Sequence, residues 1–254
     1  MPATPVLSVT DFYKSYEGNP AVCGISFDVL PGQIVGVIGP NGAGKTTTMR
    51  ALSAIIPFTS GQLTVAGFDV ATAPVEVKRR LAFVPDDPTP FSNLTVEDHL
   101  AFTAAAYQVA DADRKAHEVL QQFSLQHKRK TPAKELSRGM RQKLALSCAW
   151  LYDPAAILLD EPLTGLDPLG IRTLKQSLIQ RASEGAGVLI SSHLLAMVED
   201  VCSHILMLNE GQQKFFGTVE RLRSEFAESR PDCSLEQIFF AATSGAVAEP
   251  AAVV

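Results

Sequence analysis

The run Ile34-Val35-Gly36-Val37-Ile38, followed at once by Gly39-Pro40-Asn41-Gly42-Ala43-Gly44-Lys45-Thr46, leaves this stretch of chain few local structures. Five apolar residues ending at a glycine predict a buried strand, and KTTTMRALSAI predicts a helix from about Lys45 to Ile55. Between them lies the pattern GxxxxGK[ST], in the strand-loop-helix context that it demands. The glycines let backbone N–H groups turn inward around phosphate oxygens, and the helix N-terminus adds a favourable dipole. Lys45 then serves as a point charge for the β- and γ-phosphates. The Thr46 hydroxyl suits Mg²⁺, and Thr47 offers one more phosphate hydrogen bond.

Around this loop the sequence predicts an α/β fold. VLSVTDF and ISFDV read as strands separated by turn signals at EGNP and LPGQ, and GQLTVAG and LAFVP as further strands. LTVEDHLAFTAAAYQV and RKAHEVLQQF carry helical spacing, and the helical stretch runs to about Tyr152. AAILLD, GVLISS and HILMLN then alternate with helical segments, which argues for parallel strands with crossover helices. The expected organisation is one domain. Residues 6–86 and 153–217 form the catalytic core, 87–152 a helical subdomain and 218–242 a helical tail, while the Ala-rich residues 243–254 are disordered.

Composition narrows the partners. With 254 residues and 46% hydrophobic content the chain can bury a full core, while a net charge of −5 without a basic stripe argues against nucleic acid. Cys23, Cys148, Cys202 and Cys233 lie far apart, which predicts reduced thiols in the cytosol rather than a disulfide framework or zinc site. Neither a secretory start nor an 18-residue apolar run is present, so no membrane crossing is expected.

Ile157-Leu158-Leu159-Asp160-Glu161 is a second chemical feature: a buried strand that ends in two carboxylates at the sheet edge where α/β proteins place ligands. Asp160 suits a Mg²⁺ contact, direct or through the metal's own ligands, and Glu161 suits the base or orienter of an attacking water.

With Leu136-Ser137-Arg138-Gly139-Met140-Arg141-Gln142, which resembles the LSGGQ signature, the chain resembles the ATP-binding cassette (ABC) family over about residues 6–217. Gly165-Leu166-Asp167 looks like the family's D-loop. His193, after VLISS, matches its switch histidine, and Tyr16 is placed like its adenine-stacking aromatic, with Tyr13 as a core or rim alternative. The resemblance implies a P-loop NTPase core with an antiparallel β subdomain and a helical subdomain. It also implies ATP and Mg²⁺ as ligands, and catalytic roles for Lys45, Glu161 and His193. Ser137 and the Gly139 backbone would serve the nucleotide held by a second copy, so that two ATP molecules are sandwiched in a homodimer.

Two positions depart from the family pattern. Arg138 stands where a glycine is common and is expected to point outward. Asp86, in FVPDDP, stands where a glutamine is usual; it is either a Mg²⁺ ligand or a solvated turn acid. A single cassette implies a motor subunit at the inner face of the membrane, with a separate polytopic permease, and the alternative is a soluble ATPase acting on a non-membrane partner. TVERLR (218–223) and SLEQIF (234–239) resemble the tail of export-type cassettes, as in drug and antibiotic efflux. The segment between Lys45 and Leu136 is too short for the coiled-coil arms of chromosome-organising ATPases. No guanine-recognition motif is present either.

Overall fold

The structure is a computed structural model and describes residues 3–192, 195–227 and 237. Strands β1 (Leu7–Tyr16) and β2 (Asn19–Val29) form a hairpin closed by Glu17 and Gly18, whose φ values are 48° and 86°. Positive φ at both turn positions matches the twist of the flanking strands, so the turn is tighter than the expected EGNP. Pro20 falls inside β2; because β2 is an edge strand, its missing N–H breaks no central ladder.

Strand β3 (Ile34–Ile38) leads through the glycine loop into helix α1 (Lys45–Leu52). The helix ends earlier than its apolar pattern suggests, because Ala54 takes a left-handed φ of 53° that no helix continues. Strands β4 (Ser60–Val65) and β5 (Phe68–Asp69) follow, then helix α2 (Pro74–Arg80) and strand β6 (Leu81–Val84). The pattern did not announce α2, which buries only Val77.

Helices α3 (Val96–Tyr107), α4 (Ala112–Gln122) and α5 (Arg138–Trp150) come next. A reciprocal box starts α3: Thr95 accepts from the Asp98 N–H, and Asp98 accepts from the Thr95 N–H. The remaining elements are β7 (Ala156–Asp160), α6 (Pro168–Ser183), β8 (Gly187–Ser191), α7 (Leu195–Val201), β9 (His204–Asn209), β10 (Gln212–Thr218) and α8 (Val219–Ala227). The second tail segment, Ser234 to Phe239, lies outside the described residues apart from Gln237, as does all of 243–254.

The strands make two sheets. One is antiparallel, with order β2-β1-β4-β5. The other has order β10-β9-β3-β8-β7-β6, parallel except for β10. The parallel strands are covered on both faces, which is why they read as unbroken apolar runs rather than alternating ones. In β3, Val35 and Val37 join the core shared with the antiparallel sheet and α1, while Ile34 and Ile38 join the core reaching α6 and α7. In β7, Ala156 and Leu158 face one way, and Ile157 and Leu159 the other. Each such aliphatic burial contributes roughly 1.5–3 kcal/mol.

The three helices α3–α5 share a core in which Phe123 meets the Trp150 ring edge to face at 6.0 Å. Their link to the parallel sheet runs through Tyr152, which stacks on Tyr107 at 3.7 Å and donates its hydroxyl to the Leu81 carbonyl at 3.1 Å. Among the described residues no helix is long and apolar enough to cross a membrane.

Candidate functional site

The C-terminal ends of β3, β8 and β7 lie side by side, and the register puts Ser191 level with Val37 on one flank and Asp160 on the other. The glycine loop, Lys45, Thr46, Asp160 and Glu161 converge on this edge. The loop from Gly39 to Gly44 caps β3. A Cβ at Gly39 would sit 2.4 Å from the Leu208 carbonyl oxygen, so only glycine permits the close turn. Gly44 precedes α1 with φ 100°, and Gly42 has φ 81° with nothing within 4 Å of a would-be Cβ. Pro40, Asn41 and Gly42 are exposed and Ala43 is buried, its N–H returned to the Pro40 carbonyl at 3.2 Å. The result is a concave backbone with free space at its rim, which fits phosphate oxygens.

Lys45 is buried at the base of the loop, and its Nζ donates to the carbonyls of Gly39 (2.7 Å) and Pro40 (3.2 Å). Burial pulls its pKa below the usual lysine value; the nearby Glu161 and Asp160 carboxylates push the other way. Thr46 donates its hydroxyl to Asp160 Oδ2 at 2.7 Å. Thr47 is half-buried on the first turn of α1.

One residue that sequence reasoning missed joins these groups. The Ser191 hydroxyl, fully buried, donates to Asp160 Oδ1 at 2.7 Å and accepts from the Glu161 N–H at 2.9 Å. Both oxygens of a nearly buried carboxylate are thus held, one by the phosphate loop and one by β8. Glu161 itself leaves β7 in the left-handed region, φ 47°. The only sequence signal for Ser191 is its place at the end of an apolar run.

The donor set fits Mg²⁺ in a limited way. The described residues hold no group of three or more His, Cys, Asp or Glu side chains able to bind a metal by themselves. A hydroxyl aligned by a carboxylate supplies the few hard oxygens that Mg²⁺ takes from a protein when it also binds substrate phosphates. Thr46 and Asp160 would hold the ion.

The signature forms the start of α5. Ser137 caps it, its Oγ accepting from the Met140 N–H at 3.3 Å. Gly139 packs on the D-loop so tightly that a Cβ would lie 2.2 Å from the Gly165 carbonyl oxygen. Lys143 pairs with Asp167 at 2.8 Å, and Asp167 also caps α6 through the Gly170 N–H.

Arg138 is exposed, in keeping with an outward-pointing side chain, and its guanidinium donates to Asp86 Oδ1 at 3.3 Å, joining the two departures from the family pattern. Tyr16 is exposed at the end of β1 with Lys14 Nζ 4.6 Å from its ring centroid, while the Tyr13 hydroxyl closes over Gly24. His193 lies outside the described residues.

Comparison with known proteins agrees with this geometry. The sequence profile of the ABC transporter family matches residues 22–164, more than half of the chain. The chain is 34% identical over 240 residues to the ABC-type transporter ATP-binding protein EcsA of Bacillus subtilis (strain 168), covering 94% of this chain and 96% of that one. It is also 34% identical over 208 residues to the bacitracin transport ATP-binding protein BcrA of Bacillus licheniformis, covering 82% and 68%. A solved structure of the ATP-binding subunit of an ABC transporter superposes with a TM-score of 0.89 at 32% identity, over 93% of this chain and 99% of that one. A phosphate loop wired to a paired acid, with a signature turn packed on the D-loop, belongs to a chain of this kind: it is a member of the ABC transporter family, an ATP-binding subunit.

Proposed function

We propose that the chain hydrolyses ATP as one half of a nucleotide-sandwich dimer and drives export through a separate membrane-spanning partner. The observation that carries this reading is the Thr46–Asp160–Ser191–Glu161 network, which ties the start of the helix after the phosphate loop to Asp160 and to the backbone N–H of Glu161. Loop N–H groups and Lys45 hold the β- and γ-phosphates. Mg²⁺, when bound, neutralises phosphate charge. Glu161 orients a water and accepts its proton as the water oxygen attacks the γ-phosphorus and the bond to ADP breaks. His193 completes the γ-phosphate contacts.

The donors at Ser137 and Gly139 support a second copy, because a helix N-terminus suits an anion and the resemblance to the family assigns these donors to the nucleotide of the opposite subunit. An isologous pair gives each nucleotide both surfaces. The membrane partner finds support in Phe91 and Phe102, which are 60% and 58% exposed and meet edge to face at 5.8 Å in the helical subdomain. Transport is supported by the relative named for bacitracin transport, and export by the resemblance of the tail.

Phosphate release and light scattering with ATP test the motor. Wild type should turn ATP over, and Glu161→Gln should trap a dimer whose mass returns to that of the monomer without nucleotide. An unchanged mass at ATP well above its affinity refutes the sandwich. Copurification of the chain from its native membrane without any polytopic protein refutes the permease.

A further inference from the structure

Asp86 and Arg138 are 52 residues apart and belong to different parts of the fold: Asp86 lies in the loop after β6, and Arg138 is the first residue of α5. Each charge alone is badly placed. An arginine at the start of a helix meets the positive end of its dipole, and an aspartate at a strand edge built for phosphates meets like charge. Paired, the two opposite charges offset one another.

The location gives the pair more than neutrality. The first turn of α5 is attached to the loop after β7 by the Gly139–Gly165 backbone contact and the Lys143–Asp167 ion pair. The aliphatic stem of Arg138 also follows that loop, since a Cβ on Gly165 would lie 3.4 Å from Arg138 Cγ. These contacts hold one side of the first turn, while the body of α5 packs in the helical core and against β6. The Asp86 contact supplies a second anchor at the end of β6, the strand next to β7 in the sheet.

We propose that Asp86 and Arg138 act as a positioning pair that sets the angle at which α5 presents the Ser137 and Gly139 donors to the nucleotide of the second copy. The inference rests on the sandwich reading above. Both side chains are about half exposed, 49% and 47%, so the pair is worth little as a general stabiliser. Its effect is on geometry, and it is sensitive to salt.

The test is a double-mutant cycle in the Glu161→Gln chain, with Asp86→Asn, Arg138→Gln and both together, reading the ATP concentration that gives half-maximal dimer by light scattering. Each single variant should raise it about two- to five-fold at low salt, the range open to an exposed ion pair. The double variant should be no worse than the worse single, and the coupling should vanish in high salt. A second measurement separates the two readings. Hydrogen exchange of residues 136–143 in the chain without nucleotide should speed up in either single variant and no further in the double. If Glu161→Gln fails to dimerise with ATP, the sandwich falls and the exchange result alone decides the pair.

Additive effects in the cycle, or unchanged exchange, overturn the pairing. So does a Mg²⁺ titration at saturating ATP that shifts in Asp86→Asn but not in Arg138→Gln, because it assigns Asp86 to the metal instead.

Discussion

Ser191→Ala is the sharpest probe of the site, because it removes a single oxygen that the sequence does not advertise. That oxygen donates to Asp160 Oδ1 and accepts from the Glu161 N–H, and it has no exposure to water. Alanine removes an acceptor from the part-buried Glu161 N–H and a donor from the buried Asp160 carboxylate. A neutral buried group left unmade costs about 1–3 kcal/mol and a charged one more, so the expected loss of stability is about 2–4 kcal/mol. Urea unfolding measures it, with Ser183→Ala as the control: the Ser183 hydroxyl bonds the Gln180 carbonyl on an exposed helix face and should change stability by less than about 0.5 kcal/mol. The function should respond unevenly. Lys45 and the loop backbone do not touch Ser191, so ATP affinity should stay within a few-fold, whereas turnover should fall about ten- to hundredfold as Glu161 loses its fixed N–H. Equal urea midpoints for Ser191→Ala and the control, with turnover intact, would refute the reasoning.

Lys45→Ala should abolish ATP binding while Glu161→Gln keeps it and stops turnover; equal loss of binding in both, by calorimetry, would remove Glu161 from its role. Because the Lys45 pKa is lowered, ATP affinity should fall as pH rises through an alkaline range where an ordinary lysine is still charged. Lys45→Arg keeps its charge and should flatten that slope, which an affinity series across pH checks. Gly139→Ala pushes a methyl into the Gly165 carbonyl, a backbone atom that cannot swing aside, so it should displace the signature turn at a cost of about 1–3 kcal/mol. Single-chain ATP affinity should survive while ATP-driven dimerisation is lost, as read by light scattering.

What the sequence made legible follows from locality. The phosphate loop and the β7 acids are contiguous motifs, and their strands are buried on both faces, so the apolar runs and the chemistry coincide in one stretch of chain. The hairpin ends were less legible: β10 begins after Glu210 and Gly211, whose positive φ values of 50° and 74° close a two-residue turn that NEGQ does not announce as Asn-Gly would. Helix α2 escaped because seven residues with one buried valine carry no periodicity to detect. The contacts that join distant segments, Ser191 with Asp160 and Asp86 with Arg138, were invisible for a different reason. They depend on strand order, which brings β8 between β3 and β7 and sets β6 beside β7.

The left-handed backbone of Glu161 has a consequence for how this chain responds to selection. A side chain with a Cβ held at φ 47° costs on the order of 1–2 kcal/mol relative to a relaxed conformation, a cost that glycine escapes and asparagine partly escapes. A library screened only for survival at high temperature should therefore enrich glycine and asparagine at position 161, and on the role proposed for Glu161 every such winner would be inert. Thermal screening and activity screening would pull this one codon in opposite directions.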